Sequence, residues 1–543
     1  MDEDLISNLV FVFSVSVTLA AVYLLERDYL FGVYETAKER LVWGLPLGTL
    51  LITGVNIGFY AFAQRGLWHA SNPLVVPYYS WSYSYPLSFM TSPISHANIG
   101  HITSNLVATA VFSPVAEYVV GHRARRTRPV LRALGFAAVL YLLGVFTAAF
   151  SAGPTVGFSG VVFGVIGFVT VFYPVRAVVL VTVTTVLDSA VSILQHPVVT
   201  QTASEEFVTP WWAQISVESH ILGFFVGVLG AAALLGSDMG LEDRIRDLKP
   251  VKVGASVVVV GVFEGIYALW VADGSSYVLY QSLGLSFALL GGVGAAFAVR
   301  SEPPIPSNVV TDRISLGSYG YIALLLPVLV ICFVAVGVTA SSVGVVDTTS
   351  TEPDTTQSTA VDVEGYEISY HNSTHVRRVT PIPGFDQSWN ASGVVLTDRD
   401  RGIWLLKTPS SELASETSVT FYVGDLRAET RVTVERTGVS TPSGDTAYSV
   451  LLRTSREDSR TLLYESPPAP TGVRINRTNV SVGVSGRNYT AVLSRSDESS
   501  TVRLSPNSTP RALGVELRVE NSTIVASDVS GETRAVVGRL SDN

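Results

Sequence analysis

Long apolar runs, separated by short polar stretches, fill roughly the first 345 residues of the chain. A helix needs about 20 mostly apolar residues to cross the hydrocarbon core of a bilayer, and ten runs approach that length. They span residues 10–25, 43–63, 99–120, 130–150, 158–173, 177–194, 215–235, 255–271, 278–299 and 321–343. The pattern therefore predicts an all-α polytopic membrane region with ten transmembrane helices.

The pattern changes after residue 345. Residues 347–361 are rich in Thr, Ser and Asp and poor in apolar residues, which is typical of a linker. Beyond them, short alternating runs such as 419–423 and 430–434 predict strands, with Gly, Pro, Asn and Asp between them. We expect one or two small β-sandwich-like units there, without a nucleophile–base pair.

Composition supports this division between lipid and water. The chain has 543 residues, of which 48% are hydrophobic and 15% are charged, whereas soluble domains carry about 25% charged residues. The net charge of −9, without a basic stripe, argues against nucleic acid as a partner. The single cysteine, Cys332, lies in an apolar run and excludes a disulfide within one chain.

Arg and Lys occur in alternate loops, namely those after runs one, three, five, seven and nine, while the other loops hold only Arg65. The positive-inside rule therefore predicts a multi-pass protein of the cell membrane with its N-terminus and C-terminal domain extracellular. The acidic residues 2–4 differ from the basic start of a signal peptide, so run one is expected to remain as a membrane helix.

Glycosylation sequons agree with this orientation, because all of them lie in the C-terminal region. They begin at Asn372, Asn390, Asn476, Asn479, Asn488, Asn507 and Asn521. Sequons are typical of exported surfaces; the alternative is chance occurrence in a region rich in Ser, Thr and Asn.

Polar side chains inside membrane helices are costly, and they mark candidate functional positions. Run three begins with His96, His101 and Asn105 and carries Glu117 near its other end; Ser159 lies at the start of run five, and His220 at the start of run seven. These three runs all begin at the outer face. The serine and two of the histidines, His101 and His220, are therefore expected at a similar depth.

Glycines follow both the serine and the histidine at helical spacing. They are Gly160, Gly164 and Gly167 after Ser159, and Gly223, Gly227 and Gly230 after His220. Two seams of small residues let helix backbones approach closely, which would bring the hydroxyl within reach of an imidazole acting as general base. His101 and Asn105, one helical turn apart, could donate hydrogen bonds to an oxyanion.

Each signal has another explanation when taken alone. A Gly-x-Ser-Gly sequence in a membrane helix usually serves packing, and a single membrane histidine more often makes a bundle contact or relays protons. Position 161 is Val, so the soluble Gly-x-Ser-x-Gly nucleophile elbow is absent. The histidines have no neighbouring cluster of carboxylates or cysteines, so neither a metal nor another cofactor is expected.

Together these residues resemble the rhomboid family of intramembrane serine proteases. The family pattern is His-x4-His-x3-Asn, then Gly-x-Ser-Gly, then a small residue followed by His-x2-Gly-x3-Gly, on three of its six core helices. Here the three motifs are formed, in the same order, by His96, His101 and Asn105, by Gly157, Ser159 and Gly160, and by Ser219, His220, Gly223 and Gly227. Runs two to seven would supply the six core helices.

The resemblance implies a Ser159–His220 catalytic dyad and an oxyanion hole formed by His101, Asn105 and the Ser159 backbone N–H. His96 would be structural. Phe163 stands where the family often has a Tyr that stacks on the catalytic histidine. The first outer loop, residues 65–95, lacks the family's Trp-Arg pair.

The resemblance and the apolar pattern together predict five segments. They are an N-terminal extra helix with its loop (1–42), a six-helix rhomboid core (43–236), three additional transmembrane helices (237–345), a linker (346–362) and an extracellular β-rich domain (363–543). The predicted activity is that of a serine endopeptidase that cleaves transmembrane protein substrates near the outer face of the lipid bilayer. We expect a substrate helix to enter laterally past runs six and seven.

Two other functions fit the membrane pattern. One is a non-catalytic rhomboid-like protein that binds single-span partners, which retention of both dyad residues disfavours. The other is a transporter with His96, His101 and His220 as a proton relay, which lacks an evident inverted repeat.

Overall fold

The structure is a computed structural model that describes residues 40–123, 128–151, 153–195, 215–236, 249–273, 276–299, 316–340, 342–346, 359–379, 387–457, 459–506 and 508–541, with scattered positions between 12 and 38. It divides into two compact units: Met1–Ser342 with Thr380–Phe385, and Val343–Val379 with Asp386–Asn543. The predicted helix over 10–25 lies outside the continuously described residues.

Each predicted run from the second to the tenth contains a helix, which confirms the helical prediction over the described residues. These helices are α1 (Leu47–Gly58, continued by a π-helical turn at Phe59–Ala63), α2 (Ile99–Arg123), α3 (Pro129–Ala149), α4 (Ser159–Phe172), α5 (Pro174–Gln195), α6 (Val217–Gly236), α7 (Pro250–Phe263), α8 (Gln281–Ala298) and α9 (Leu316–Thr339). Within the described part of the chain, six of them are long and apolar enough to cross a membrane, and α1, α4 and α7 are shorter apolar helices. The protein is therefore a multi-pass membrane protein.

Proline and asparagine set several of the helix starts. Pro129, Pro174 and Pro250 are the first residues of α3, α5 and α7, a position where the missing N–H costs nothing. The side chain of Asn98, just before α2, accepts a hydrogen bond from the His101 backbone N–H at 2.9 Å, as an N-cap residue does. This cap fixes the first turn of α2.

Helix α4 lies at the centre of the membrane unit, and nearly all of its residues are buried. The helices around it differ greatly in enclosure: 67% of the apolar window of α6 is buried inside the protein, against 11% for α5. Helix α5 thus borders the lipid along most of its length.

Glu117 joins α2 to the start of α1. Its carboxylate accepts hydrogen bonds from the Gly48 N–H at 2.9 Å, the Thr49 N–H at 2.8 Å and the Thr49 hydroxyl at 2.9 Å. An anionic acceptor at a helix N-terminus satisfies backbone donors that have no partner within the helix.

Three helices lie beyond the predicted core. Helix α7 packs against α4 and α5, α8 packs against α7 and α9, and α9 packs against α6. A hairpin of β1 (Trp270–Asp273) and β2 (Ser276–Leu279) joins α7 to α8. We call α7, α8, α9 and this hairpin the helical extension.

The second unit is rich in β-strands, as the alternating pattern predicted. Its strands are β3 (Ser342–Val346), β4 (Val361–Val363), β5 (Tyr366–Val379), β6 (Gln387–Asp398), β7 (Ile403–Pro409), β8 (Ser418–Gly424), β9 (Glu429–Ser440), β10 (Thr446–Thr454), β11 (Thr461–Glu465), β12 (Ala469–Ile475), β13 (Thr478–Ser485), β14 (Asn488–Arg495), β15 (Glu498–Leu504), β16 (Arg511–Ala512), β17 (Val515–Glu520), β18 (Thr523–Asp528) and β19 (Arg534–Leu540). The segments predicted over 419–423 and 430–434 lie within β8 and β9.

These strands form three sheets within the described residues. One has the order β3-β5-β6-β7 with β4 beside β5, one has the order β12-β13-β14-β15, and the largest has the order β11-β10-β9-β19-β18-β17-β16 with β8 beside β9. Strand β4 begins at Val361, inside the segment predicted as a linker. A short helix, Ser410–Glu416, follows β7.

Candidate active site

Ser159 and His220 lie at the outer ends of two adjacent helices, by the orientation that the sequence predicts. Ser159 is the first residue of α4, and His220 is in the first turn of α6. The His220 Nε2 atom is 2.9 Å from the Ser159 Oγ atom, within the range of a hydrogen bond. Ser159 is half-buried and His220 is 8% exposed, so the hydroxyl can be reached while the imidazole is held.

Glycine contacts between α4 and α6 explain this short distance. A Cβ atom added at Gly223 would collide with the Gly160 carbonyl oxygen, and one added at Gly227 would collide with the Gly164 carbonyl oxygen. Backbone therefore rests directly on backbone at Gly223 and Gly227 of the predicted seam, whereas a Cβ atom at Gly230 would meet nothing within 4 Å. No larger residue fits at Gly223 or Gly227 unless the helices separate.

The His220 ring is held from its other side by Phe163. The two rings stack with centroids 4.0 Å apart and an interplanar angle of 15°. No carboxylate hydrogen-bonds His220 among the described residues. Ring stacking and helix packing thus replace the acidic group that orients the imidazole in soluble serine proteases.

His101 and Asn105 face the same region from α2. The Ala97 N–H donates to the His101 Nδ1 atom at 3.4 Å, which leaves Nε2 as the protonated ring nitrogen. The Asn105 Nδ2 atom is buried and, within the described residues, has no hydrogen-bond partner. Buried donors without a partner are rare, so this N–H is available to an acceptor that enters the site.

Gly157 brings the loop before α4 against these two donors. Its φ of +123° lies in a region that favours glycine. A Cβ atom here would be 2.7 Å from His101 Nε2 and 3.6 Å from Asn105 Nδ2. The backbone leading to Ser159 consequently passes directly beside both side chains, and the first N–H groups of α4 have no partner within the helix.

His96 packs against the ring of His101. It is fully buried, and its ring meets the His101 ring edge-on with centroids 5.2 Å apart. Gln64 binds the His96 backbone on both sides: its Oε1 accepts from the His96 N–H at 2.7 Å, and its Nε2 donates to the His96 carbonyl at 2.9 Å. The sequence analysis did not single out Gln64.

The structure thus brings residues of the three sequence motifs together in one site. Comparison with known proteins bears on the same part of the chain. Residues 84–237 match the family model described as Rhomboid domain. The chain contains a rhomboid domain over these residues. No match was found among curated proteins or among solved structures.

The matched segment begins inside the first outer loop of this rhomboid and ends with α6. Helix α1 lies before it, and the helical extension and the β-rich unit lie after it. The matched segment holds every motif residue, from His96 to Gly227.

The first outer loop of this rhomboid is anchored although it lacks the family's Trp-Arg pair. It contains 3-10 turns at Val76–Tyr78 and Ser92–Ile94 and a short helix at Leu87–Thr91. Trp81 is 6% exposed, and its indole N–H donates to the Val76 carbonyl at 2.7 Å. The Ser80 N–H donates to the Thr155 carbonyl at 3.0 Å, which ties the first outer loop to the segment before Ser159.

One polar contact near the site was missed by sequence reasoning. The Ser104 hydroxyl on α2 donates to the Asp188 Oδ1 atom on α5 at 2.7 Å. An ionisable residue inside an apolar run was the available signal. Ser104 directly precedes Asn105, so this bond links the turn that carries Asn105 to α5, of whose apolar window 11% is buried.

Helix α7 lies next to the expected entry route past runs six and seven, which stays a prediction. These runs form α5 and α6, and α7 packs against α5 and α4 while its Gly261 lies beside the Phe224 ring of α6. Val253, Val257 and Val260 of α7 are buried. The sequence did not place the added helix beside this route.

Proposed function

We propose that this rhomboid is an intramembrane serine endopeptidase that cleaves transmembrane protein substrates near the outer membrane face. The observation that carries the proposal is the 2.9 Å approach of His220 Nε2 to Ser159 Oγ. The buried, unpartnered N–H of Asn105, described above, supports it. A protein that only binds membrane partners needs neither feature.

The reaction begins with attack of Ser159 Oγ on the carbonyl carbon of the scissile bond. The hydroxyl proton moves to His220 Nε2 as the C–O bond forms, because an unassisted hydroxyl is a weak nucleophile. Negative charge then develops on the carbonyl oxygen. The donors that would receive it are the Ser159 backbone N–H, the His101 Nε2–H and the Asn105 Nδ2–H, and each such donor is worth about 3 kcal/mol.

The second half of the reaction returns the proton. Collapse of the tetrahedral intermediate breaks the C–N bond, and His220 gives its proton to the departing amine. Water then attacks the Ser159 ester with His220 as base, and the second peptide fragment leaves as a carboxylate. The half-buried position of Ser159 leaves this bond within reach of water from the outer face.

A substrate helix enters along the lipid-facing side of α5, between α5 and α2. This route is supported by the enclosure of the helices, since 11% of the α5 window is buried while α7 fills the opposite side. The Ser104–Asp188 hydrogen bond spans this gap, so it must break or shift when a helix passes.

The test is covalent labelling by a fluorophosphonate, which reacts with an activated serine. We expect the full-length protein to be labelled at Ser159 and to cleave a single-span substrate in proteoliposomes. Ser159→Ala and His220→Ala should abolish both while leaving expression unchanged. Undiminished cleavage in either variant would overturn the dyad, and absence of labelling in the unaltered protein would favour a non-catalytic partner-binding rhomboid.

A further inference from the structure

Helix α6, which carries His220, is enclosed on two sides. Its glycine seam faces α4, and its other side faces the helical extension. Gly291 of α8 lies directly against the Phe225 ring, and Phe224, Phe225 and Val228 have no exposed surface. The position of α6 therefore depends on helices that lie outside the segment matched by the family.

Two hydrogen bonds from the extension reach the segments beside the outer end of α6, one just before α6 and one just after α3. The Trp270 indole N–H, at the start of the β1–β2 hairpin, donates to the Ile215 carbonyl at 3.1 Å. The Thr339 hydroxyl, at the end of α9, donates to the Ser151 carbonyl at 3.1 Å. Thr339 is 8% exposed, so this is a buried polar contact.

Ser151 transmits the second contact to α6. Its hydroxyl is 3.3 Å from the Ser216 hydroxyl and 3.4 Å from Glu218 Oε1, and Ser216 donates to Glu218 at 2.6 Å. Glu218 lies in the first turn of α6, where the helix dipole favours an anion. Glu218 is two positions before His220.

The inner end of α6 has a matching contact. The Tyr321 hydroxyl donates to the Ala232 carbonyl at 3.0 Å. Tyr321 and Thr339 are about 27 Å apart along α9 at 1.5 Å per residue. Helix α9 thus supports α6 over nearly its whole length of about 30 Å.

We propose that the helical extension is a scaffold that positions His220, with Trp270 and Thr339 as positioning residues for proton transfer from Ser159. This inference rests on the proposed protease function. The imidazole has no carboxylate partner among the described residues, so its alignment comes from packing on both sides of α6. The glycine seam fixes how close α6 comes to α4, and the two outer hydrogen bonds fix how α6 tilts and rotates about that seam.

The experiment compares variants of the full-length protein in proteoliposomes. Trp270→Phe removes the indole donor but keeps an aromatic ring, and Thr339→Val removes the hydroxyl at constant shape. The matched controls are Thr339→Ser, which restores the donor, and Tyr319→Phe, on the lipid-exposed face of α9. Each is measured for the rate and final extent of fluorophosphonate labelling at Ser159, and for kcat and KM on a single-span substrate.

We expect Trp270→Phe and Thr339→Val to label completely but about fivefold to fiftyfold more slowly, because small misplacements of a catalytic group are costly. The kcat value should fall by a similar factor with KM unchanged, and both controls should match the unaltered protein. Labelling of a reduced fraction at the normal rate would indicate lost folding alone and would overturn the inference. Normal rates in both variants would overturn it while leaving the protease function intact. Absence of labelling in the unaltered protein would overturn the protease function and this inference with it.

Discussion

Gly223→Ala tests the central geometry of the site with a single methyl group. The added Cβ atom would point at the carbonyl oxygen of Gly160, which is next to the nucleophile. That oxygen is part of the α4 backbone, so it cannot rotate away as a side chain can. Relief requires α4 and α6 to separate at a point three residues from His220.

The size of the effect follows from the distances. Ordinary contact begins near 3.4 Å, and the helices must part by roughly 1 Å or more to restore it. This would stretch the 2.9 Å contact between His220 Nε2 and Ser159 Oγ to about 4 Å, beyond hydrogen-bond range. A displacement of about 1 Å can cost 100-fold in rate, which is about 2.7 kcal/mol in the barrier.

The assay is cleavage of a single-span substrate in proteoliposomes, together with the rate of fluorophosphonate labelling. Gly230→Ala is the matched control, since it lies on the same helix and an added Cβ would meet nothing within 4 Å. Gly223→Ala should lose about 100-fold in both readouts while eluting as a monodisperse protein, and Gly230→Ala should lose nothing. Normal turnover in Gly223→Ala would refute the backbone contact as the source of the dyad distance.

Three further predictions concern other parts of the chain. His101→Ala and Asn105→Ala should each lower kcat in the same assay by about tenfold to a thousandfold, because each removes an oxyanion donor; full turnover in both would mean that the donors lie elsewhere. Glu117→Ala should lower the thermal unfolding midpoint in detergent by more than Glu117→Gln does. The alanine leaves the Gly48 N–H, the Thr49 N–H and the Thr49 hydroxyl without an acceptor, which should lower the free energy of unfolding by roughly 2–4 kcal/mol. Equal midpoints would contradict this role. Protease added to intact cells should cut within residues 347–361 and release a soluble fragment, while the remaining membrane core still cleaves substrate; digestion only after lysis would reverse the predicted orientation.

The helices were predictable because lipid imposes a simple rule on sequence. Apolar length alone located the runs from the second to the tenth, and glycine spacing predicted which faces of α4 and α6 approach. The stacking of Phe163 on His220 also followed from the family motif, since a phenyl ring can fill the place of a phenol. These features depend on neighbours in sequence or on a fixed helical period.

The entry route and the supporting contacts were not predictable in the same way. Nothing in the run at 255–271 indicates that it packs against α4 and α5, because an apolar surface fits any apolar neighbour. Gln64 and Trp81 each donate to backbone carbonyls, 32 and five residues away, and such acceptors carry no signature in sequence. Asp188 did carry one, as a carboxylate in an apolar run, but its partner Ser104 did not.

The contact of backbone with backbone between α4 and α6 has a consequence for the entropy of the proposed catalysis. Side chains that hold a catalytic pair must lose rotamer freedom, and they regain part of it with each thermal fluctuation. The seam at Gly160 and Gly223 has no rotamers to lose or regain. The ordering of nucleophile and base is therefore completed when the helices associate, and the site meets each substrate already aligned.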